Sequence, residues 1–407
     1  MIGGIEGKRF AATAGAPNSG PIQVATAQTG QAGSTWRPVF AGLSASLVGI
    51  GLARFAYTPL IPALIADGWL SPSDAYYAGA ANLAGYLIGA LVGRRVGARI
   101  GARAALQSMM LLATLSFAAC ALRLGTGEVV WFTVWRVAAG IAGGVLMVLA
   151  APALVPTVPE RRRGLATGAI FIGVGLGILI SGTVMPLLVA HGVVPAWVAL
   201  GVASALLTLW SWGAWPRAVV AAHLPPLSPT PGLLRVCLIY GLNAGGLTPF
   251  MVFLVDYVAR GLGYGIAIGS GFWVLFGAGA SLGALVMGGL ADRIGMRGTV
   301  IVALVAQALS TATPLATSAL LPLAIAAFVG GAFVTGVLPI TLGRVRSLLP
   351  AAQATAGWSR ATVFWAVGQA AAGYAFAALA SWTGGMTAVF ACGVALLVLA
   401  LALTATE

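Results

Sequence analysis

Long apolar stretches, separated by short polar clusters, occupy almost the whole chain from Pro38 to Leu403. Stretches of ~20 such residues are long enough to cross a bilayer as helices. Helices are the required form, because backbone groups in hydrocarbon must find partners within their own segment. The pattern predicts about twelve spans, over Pro38–Ala66, Ser73–Gly93, Ala104–Leu122, Val129–Val155, Gly164–Ala190 and Val194–Trp215, then Leu233–Tyr257, Gly265–Gly289, Thr299–Pro314, Ala319–Gly343, Ala352–Ala380 and Gly385–Leu403. Pro314 and Pro322 leave little room for a loop between the ninth and tenth.

The spans are related by an internal repeat. Ala84–Arg103, AGYLIGALVGRRVGARIGAR, aligns without gaps to Ala278–Arg297, AGASLGALVMGGLADRIGMR. The alignment pairs Gly85, Gly89, Arg99, Gly101 and Arg103 with Gly279, Gly283, Arg293, Gly295 and Arg297. Two related hydrophobic halves are the mark of a secondary transporter built from repeats. The fold class expected is an all-α integral membrane protein of two six-helix bundles. The expected parts are a disordered cytoplasmic tail at residues 1–36, a bundle at 37–215, a Pro-rich cytoplasmic linker at 216–232 and a second bundle at 233–404.

Composition agrees, with 60% hydrophobic and only 7% charged residues, far below the roughly 25% charge of soluble domains. The net charge of +13 would suggest nucleic acid in a soluble protein, but here the arginines gather on one side. Arg94, Arg95, Arg99 and Arg103 fill the second connection. Arg161–Arg163, Arg217, Arg235, Arg293, Arg297, Arg344 and Arg346 fall in other even-numbered ones, while the odd-numbered connections hold Arg123 and Arg260. Positive charge marks the cytoplasmic side, so both termini are expected inside, in a bacterial inner membrane. Cys120, Cys237 and Cys392 lie singly in predicted helices and read as small apolar fillers. No metal spacing, P-loop or nucleophile–base pair is present, so neither a cofactor nor enzyme chemistry is expected.

The doubled six-helix plan resembles the major facilitator superfamily. Its loop signature Gly-x-x-x-Asp-Arg-x-Gly-x-Arg is carried by Gly288, Asp292, Arg293, Gly295 and Arg297. In the first half Arg94 and Ala98 replace the glycine and the acid, leaving Arg99 and Arg103. The resemblance implies a conformational latch through the acid's charge pairing. The helix 4 signature appears as Arg136 and Gly140. The Gly-Pro signature of drug–proton antiporters is not matched in helix 5. GLARFAYTPLIPAL (Gly51–Leu64), AGAANLAGYLIGALVG (Ala78–Gly93) and VGQ at Val367–Gln369 resemble the YbfB/YjiJ-type bacterial branch, which implies fold and transport but no substrate.

Arg54 is the foremost candidate for substrate binding. It lies deep in helix 1 with no acid nearby in sequence, and such residues usually face a bundle interior or wet cavity. Tyr57 and Thr58 share its face. Pro59 and Pro62 deprive the Phe55 and Thr58 carbonyls of helical partners. Counting ~1.5 Å per residue, Arg54 and Arg136 lie ~18 and ~12 Å below the outer end, so the two could share one cavity. Arg360 could be buried or interfacial. Asn82 and Tyr86 form one polar helix 2 face; Asn243 and Thr248 flank a glycine–proline hinge in helix 7; Gln369 in helix 11 completes the candidates. Trp273 and Phe276 could line the cavity or face lipid. The acids, Glu6, Asp67, Asp74, Glu128, Glu160, Asp256, Asp292 and Glu407, are all placed in tails, turns or helix ends.

The leading expectation is a monomeric secondary transporter of a small anionic or carboxylate-bearing solute, working by alternating access. A proton carried with the substrate or by Asp256, Asp67 or Asp74, or a counter-anion in exchange, would couple it to energy. Efflux of amphipathic drug-like compounds is the second reading, and a non-transporting solute sensor the third. The charge asymmetry makes a direct prediction. In a cysteine-free background, Ser71→Cys should react with an impermeant thiol reagent on intact cells; labelling only after permeabilisation would reverse the topology.

Overall fold

The computed structural model describes residues 36–125, 127–159, 162–217, 227–230 and 232–406. The expected tail as far as residue 35, together with residues 218–226 and 231 of the expected linker, lies outside them. Twelve helices among the described residues are long and apolar enough to cross a membrane. They are α1 Trp36–Ala66, α2 Pro72–Ile100, α3 Ala102–Cys120, α4 Glu128–Thr157, α5 Leu165–Val189, α6 Val193–Ser211 and α7 Leu233–Gly261. Next, α8 and α9 lie before and after Gly295 within the helical run Gly265–Ala316. Last come α10 Leu320–Leu348, α11 Gln353–Thr383 and α12 Thr387–Ala405. No strand is found among the described residues.

Each expected span is present, and the ends differ in informative ways. The second span does not stop at Gly93 but continues to Ile100, so Arg94, Arg95 and Arg99 ride on its last turns rather than filling a loop. The whole turn into α3 is made at Gly101, whose φ of 84° and ψ of 150° lie where a side chain would be strained. Its repeat partner Gly295 adopts φ 75° and ψ 165° and breaks α8 from α9 in the same way. The crowded α9–α10 connection is short, with the Ala319 amide capped by the Thr317 hydroxyl.

The glycines of the repeat explain how the helices pack. A Cβ on Gly85 or Gly89 in α2 would overlap the carbonyl oxygens of Val137 and Ile141 in α4. A Cβ on Gly279 or Gly283 in α8 would overlap those of Phe328 and Ala332 in α10. Both crossings bring backbones into contact, as small-residue faces allow in membranes. The halves then meet through α2 against α11 and α8 against α5, the same pairing viewed from either repeat. Side chains facing away from these seams are apolar and exposed, among them Leu187, Leu209, Leu309, Leu321 and Trp382. That outer surface suits lipid.

The crossings are testable by size. Gly89→Leu and Gly283→Leu should each destabilise the detergent-solubilised protein by about 1–3 kcal/mol or more. Gly168→Ala, where a Cβ meets nothing within 4 Å, should stay within about 0.5 kcal/mol. Melting temperatures of the three variants decide the matter.

Candidate functional site

The irregular helix α1 builds the site. Its segment Leu47–Phe55 is wound as a π-helix and returns to α-helix at Tyr57–Ala66. Pro59 and Pro62 offer no N–H to the preceding turn, and wide turns of this kind occur where local hydrogen bonding is disturbed. The Ala53 carbonyl in this stretch is taken by other helices: Arg136 Nη1 of α4 donates to it at 2.8 Å, and Asn82 Nδ2 of α2 at 3.5 Å. The same Asn82 amide donates to the Arg136 carbonyl at 3.0 Å. The three helices are thereby tied at one point.

Arg136 is 2% exposed and has no carboxylate partner among the described residues. Its guanidinium lies over the Tyr57 ring, 4.1 Å from the centroid, so a carbonyl and a π face carry the charge. Gly140, one turn further along α4, is needed because a Cβ there would overlap the Asn82 carbonyl. The arginine and glycine of the helix 4 signature thus hold α1 and admit α2. Tyr57 donates its hydroxyl to the Ala75 carbonyl at 2.8 Å.

Arg54, one residue beyond Ala53, reaches across to the other half. Its Nη2 donates to Gln369 Oε1 of α11 at 2.6 Å and approaches Met251 Sδ of α7 at 4.0 Å. The rings of Phe55 and Tyr86 lie 5.1 and 5.5 Å from the guanidinium carbon. Thr58 donates to the Met251 carbonyl at 2.6 Å. Arg54, Tyr57, Thr58, Asn82, Arg136 and Met251 line one cavity, so the two arginines do share a level. The cavity holds about 20 Å³, room for little more than one water. The site is closed around itself.

Other expected residues stand elsewhere. Asn243 pairs through its amide with Gln307 of α9, lining a separate pocket with Tyr240 and Arg344. Thr248 donates to its own helix at Ala244. Neither lines the Arg54 cavity, because the α7 hinge turns Met251 and Val252 toward it instead. Arg360 is exposed. In the expected latch, Asp292 is exposed and makes no ion pair among the described residues. Arg297 instead caps the end of α12 through the Thr404 and Ala405 carbonyls at 3.3 and 3.0 Å. The α8–α9 break directs this arginine at α12's unsatisfied last turn, a favourable place for a cation.

Two features were not foreseen. Trp273 and Phe276 are fully buried and stacked, with Trp273 Nε1 donating to Ser181 of α5 at 3.1 Å, so they form the seam between halves. Asp256, expected at a helix end, is fully buried inside α7, which runs on through a π-helical turn to Gly261. Arg260 binds it through Nε and through Nη2, the latter at 2.8 Å, and the Tyr76 hydroxyl of α2 donates to the same carboxylate. Arg260 Nη2 also meets the Tyr76 hydroxyl at 3.0 Å. Nearby, Ser381 of α11 donates to Ser73 of α2 at 2.9 Å. These bonds close the halves at the end that carries Asp67–Ser71. The four-residue spacing of Asp256 and Arg260 was the available signal, hidden by ending the helix at Tyr257.

Twelve helices of spanning length among the described residues, in repeat-related halves around a closed cavity, define a secondary transporter of the major facilitator type. Residues 46–405 match the family described as the uncharacterised MFS-type transporter YbfB, and the chain belongs to that family. It is a multi-pass membrane protein. Among solved structures it is similar to a crystal structure of a D-xylose–proton symporter, with a TM-score of 0.69 and 16% identity over 90% of this chain and 96% of that one. A partially occluded inward open conformation of the xylose transporter XylE from E. coli matches with a TM-score of 0.69 and 15% identity, over the same shares. At such identity the likeness is one of fold. No curated protein matches the sequence.

The Asp256 cluster should dominate the stability of this closed form. Asp256→Ala removes the acceptor shared by Tyr76 and the solvent-exposed Arg260 and should cost about 1.5–3 kcal/mol, whereas Tyr76→Phe removes one hydrogen bond and should cost about 0.5–1.5 kcal/mol. Equal melting-temperature losses for the two variants would contradict the arrangement.

Proposed function

We propose that this transporter moves a small anionic, carboxylate-bearing solute by alternating access, with Arg54 as the anion-binding group. The observation that carries the reading is the state of Arg54. The guanidinium faces a central cavity, has no carboxylate partner among the described residues, and rests on a neutral amide and a thioether. A planar cation with spare donors is matched to a bidentate carboxylate. Arg136 adds a second positive charge to the same cavity, and the apolar faces of Phe55, Tyr86 and Met251 suit an organic remainder.

In this reading the moving bodies are residues 37–215 and 233–404, joined by 216–232. Tyr57, Thr58 and Asn82 complete the wall, Tyr86 and Gln369 hold the Arg54 guanidinium, and Asn82 and Arg136 keep α1 in register. Asn243 and Thr248 act on the hinge of α7 rather than on substrate. The arginine-rich even-numbered connections favour an inner membrane with both termini inside.

Arg54→Ala should abolish uptake or release of carboxylates in proteoliposomes and weaken their binding at least about tenfold, the scale of a lost charge-assisted hydrogen bond. Arg54→Lys should rescue only partly, because a point charge cannot make the two-donor fork. The panel is acetate, lactate, succinate and benzoate, with D-xylose as the neutral comparison. Transport at the unmutated rate by a folded Arg54→Ala protein, or binding of the sugar alone, would overturn the reading.

A further inference from the structure

Gln369 stands out because it has the wrong partners for its burial. It is 1% exposed and sits on α11, in the half opposite Arg54. Its carbonyl oxygen takes the Arg54 donor at 2.6 Å, while its amide nitrogen points at Met251 Sδ at 3.1 Å. A thioether is a weak acceptor, so the amide N–H is poorly satisfied where an unmade hydrogen bond is costly. The oxygen takes an Nη2 donor of the guanidinium, whose side chain also lines the cavity with Arg136. The cavity beside it has room for little more than a water.

Resting on the anion-binding reading of Arg54, we propose that Gln369 is a built-in placeholder ligand. In this closed form its amide oxygen fills the acceptor position on Arg54 and tethers the two halves at the centre of the molecule. An incoming carboxylate takes that position and displaces the amide. The tether is thereby exchanged for contacts with the solute. Gln369 sets both the apparent affinity, by competing for Arg54, and the link between binding and separation of the halves.

The sign of one effect separates this from an ordinary contact. A residue that only binds substrate weakens binding when removed. A placeholder lowers the fraction of molecules with Arg54 free, and apparent affinity scales with that fraction. Gln369→Leu keeps the bulk and removes the amide. It should therefore bind benzoate about tenfold tighter if a tenth of the native molecules have Arg54 free. Gln369→Glu supplies a permanent carboxylate to Arg54 and should abolish benzoate binding while holding the halves closed.

The test uses the full chain, lacking its native cysteines and carrying Ser73→Cys and Ser381→Cys, whose native hydroxyls touch across the closed end. Disulfide formation reports closure, and benzoate titration by thermal shift reports affinity. Without ligand, Gln369→Leu should form the disulfide several-fold more slowly than the parent, and Gln369→Glu at least as fast. Benzoate should slow the parent as Gln369→Leu does. Weaker benzoate binding by a folded Gln369→Leu protein, or an unchanged disulfide rate, overturns the placeholder role. If no variant binds benzoate yet Gln369→Leu still slows the disulfide, the anion reading of Arg54 falls and the tether stands.

Discussion

The guanidinium groups of buried Arg136 and half-buried Arg54, placed among apolar helices with no carboxylate beside them among the described residues, set the terms for the centre of this protein. A buried charge must be compensated by hydrogen bonds or by pairing. The compensation here is made with neutral groups: the Ala53 carbonyl and the Tyr57 ring for Arg136, the Gln369 amide for Arg54. Each arrangement requires a particular backbone. The π-helical stretch of α1 supplies the Ala53 carbonyl to two other helices, and the α4 glycine lets α2 come close enough for Asn82 to reach both. Arg136 is therefore a fastening within one half, and Arg54 a contact between halves.

The contrast with Asp256 is instructive. That carboxylate is fully buried, but it has a bidentate arginine on its own helix and a tyrosine from the opposite half. A fully satisfied ion pair makes a firm closure and leaves no valence for a solute. Arg54 is held by weaker, uncharged partners, the arrangement on which its proposed anion-binding role rests. Both clusters bridge the same interface, one near its end and one at its middle. They differ in what could replace the bridge.

Small residues bring the two halves into close contact. Gly175 of α5 meets Ser281 of α8, Gly182 meets Val274, and Gly373 of α11 meets Leu83 and Ala80 of α2. Such faces present little side-chain relief, and their contact is van der Waals in kind, without a row of bonds to break. This is the form expected of surfaces that rock against one another in repeat-built transporters.

The linear chain determined the twelve helices, because hydrophobic length and charge placement are local properties that a bilayer reads directly. The repeat was legible too: Gly101 and Gly295 stand at matching positions and both turn the chain in a conformation that glycine adopts without strain. The arginines at 54 and 136 were legible as costly residues in apolar helices. Their partners were not: Gln369 lies 315 residues from Arg54, Asp256 180 from Tyr76, and no periodicity fixes the rotation of one helix against another. Asn243 and Asn82 looked alike in sequence, yet one faces Gln307 inside its own half and the other ties three helices beside the cavity. Only packing, which sets each helix's rotation through its glycine faces, decided which polar groups meet at the centre.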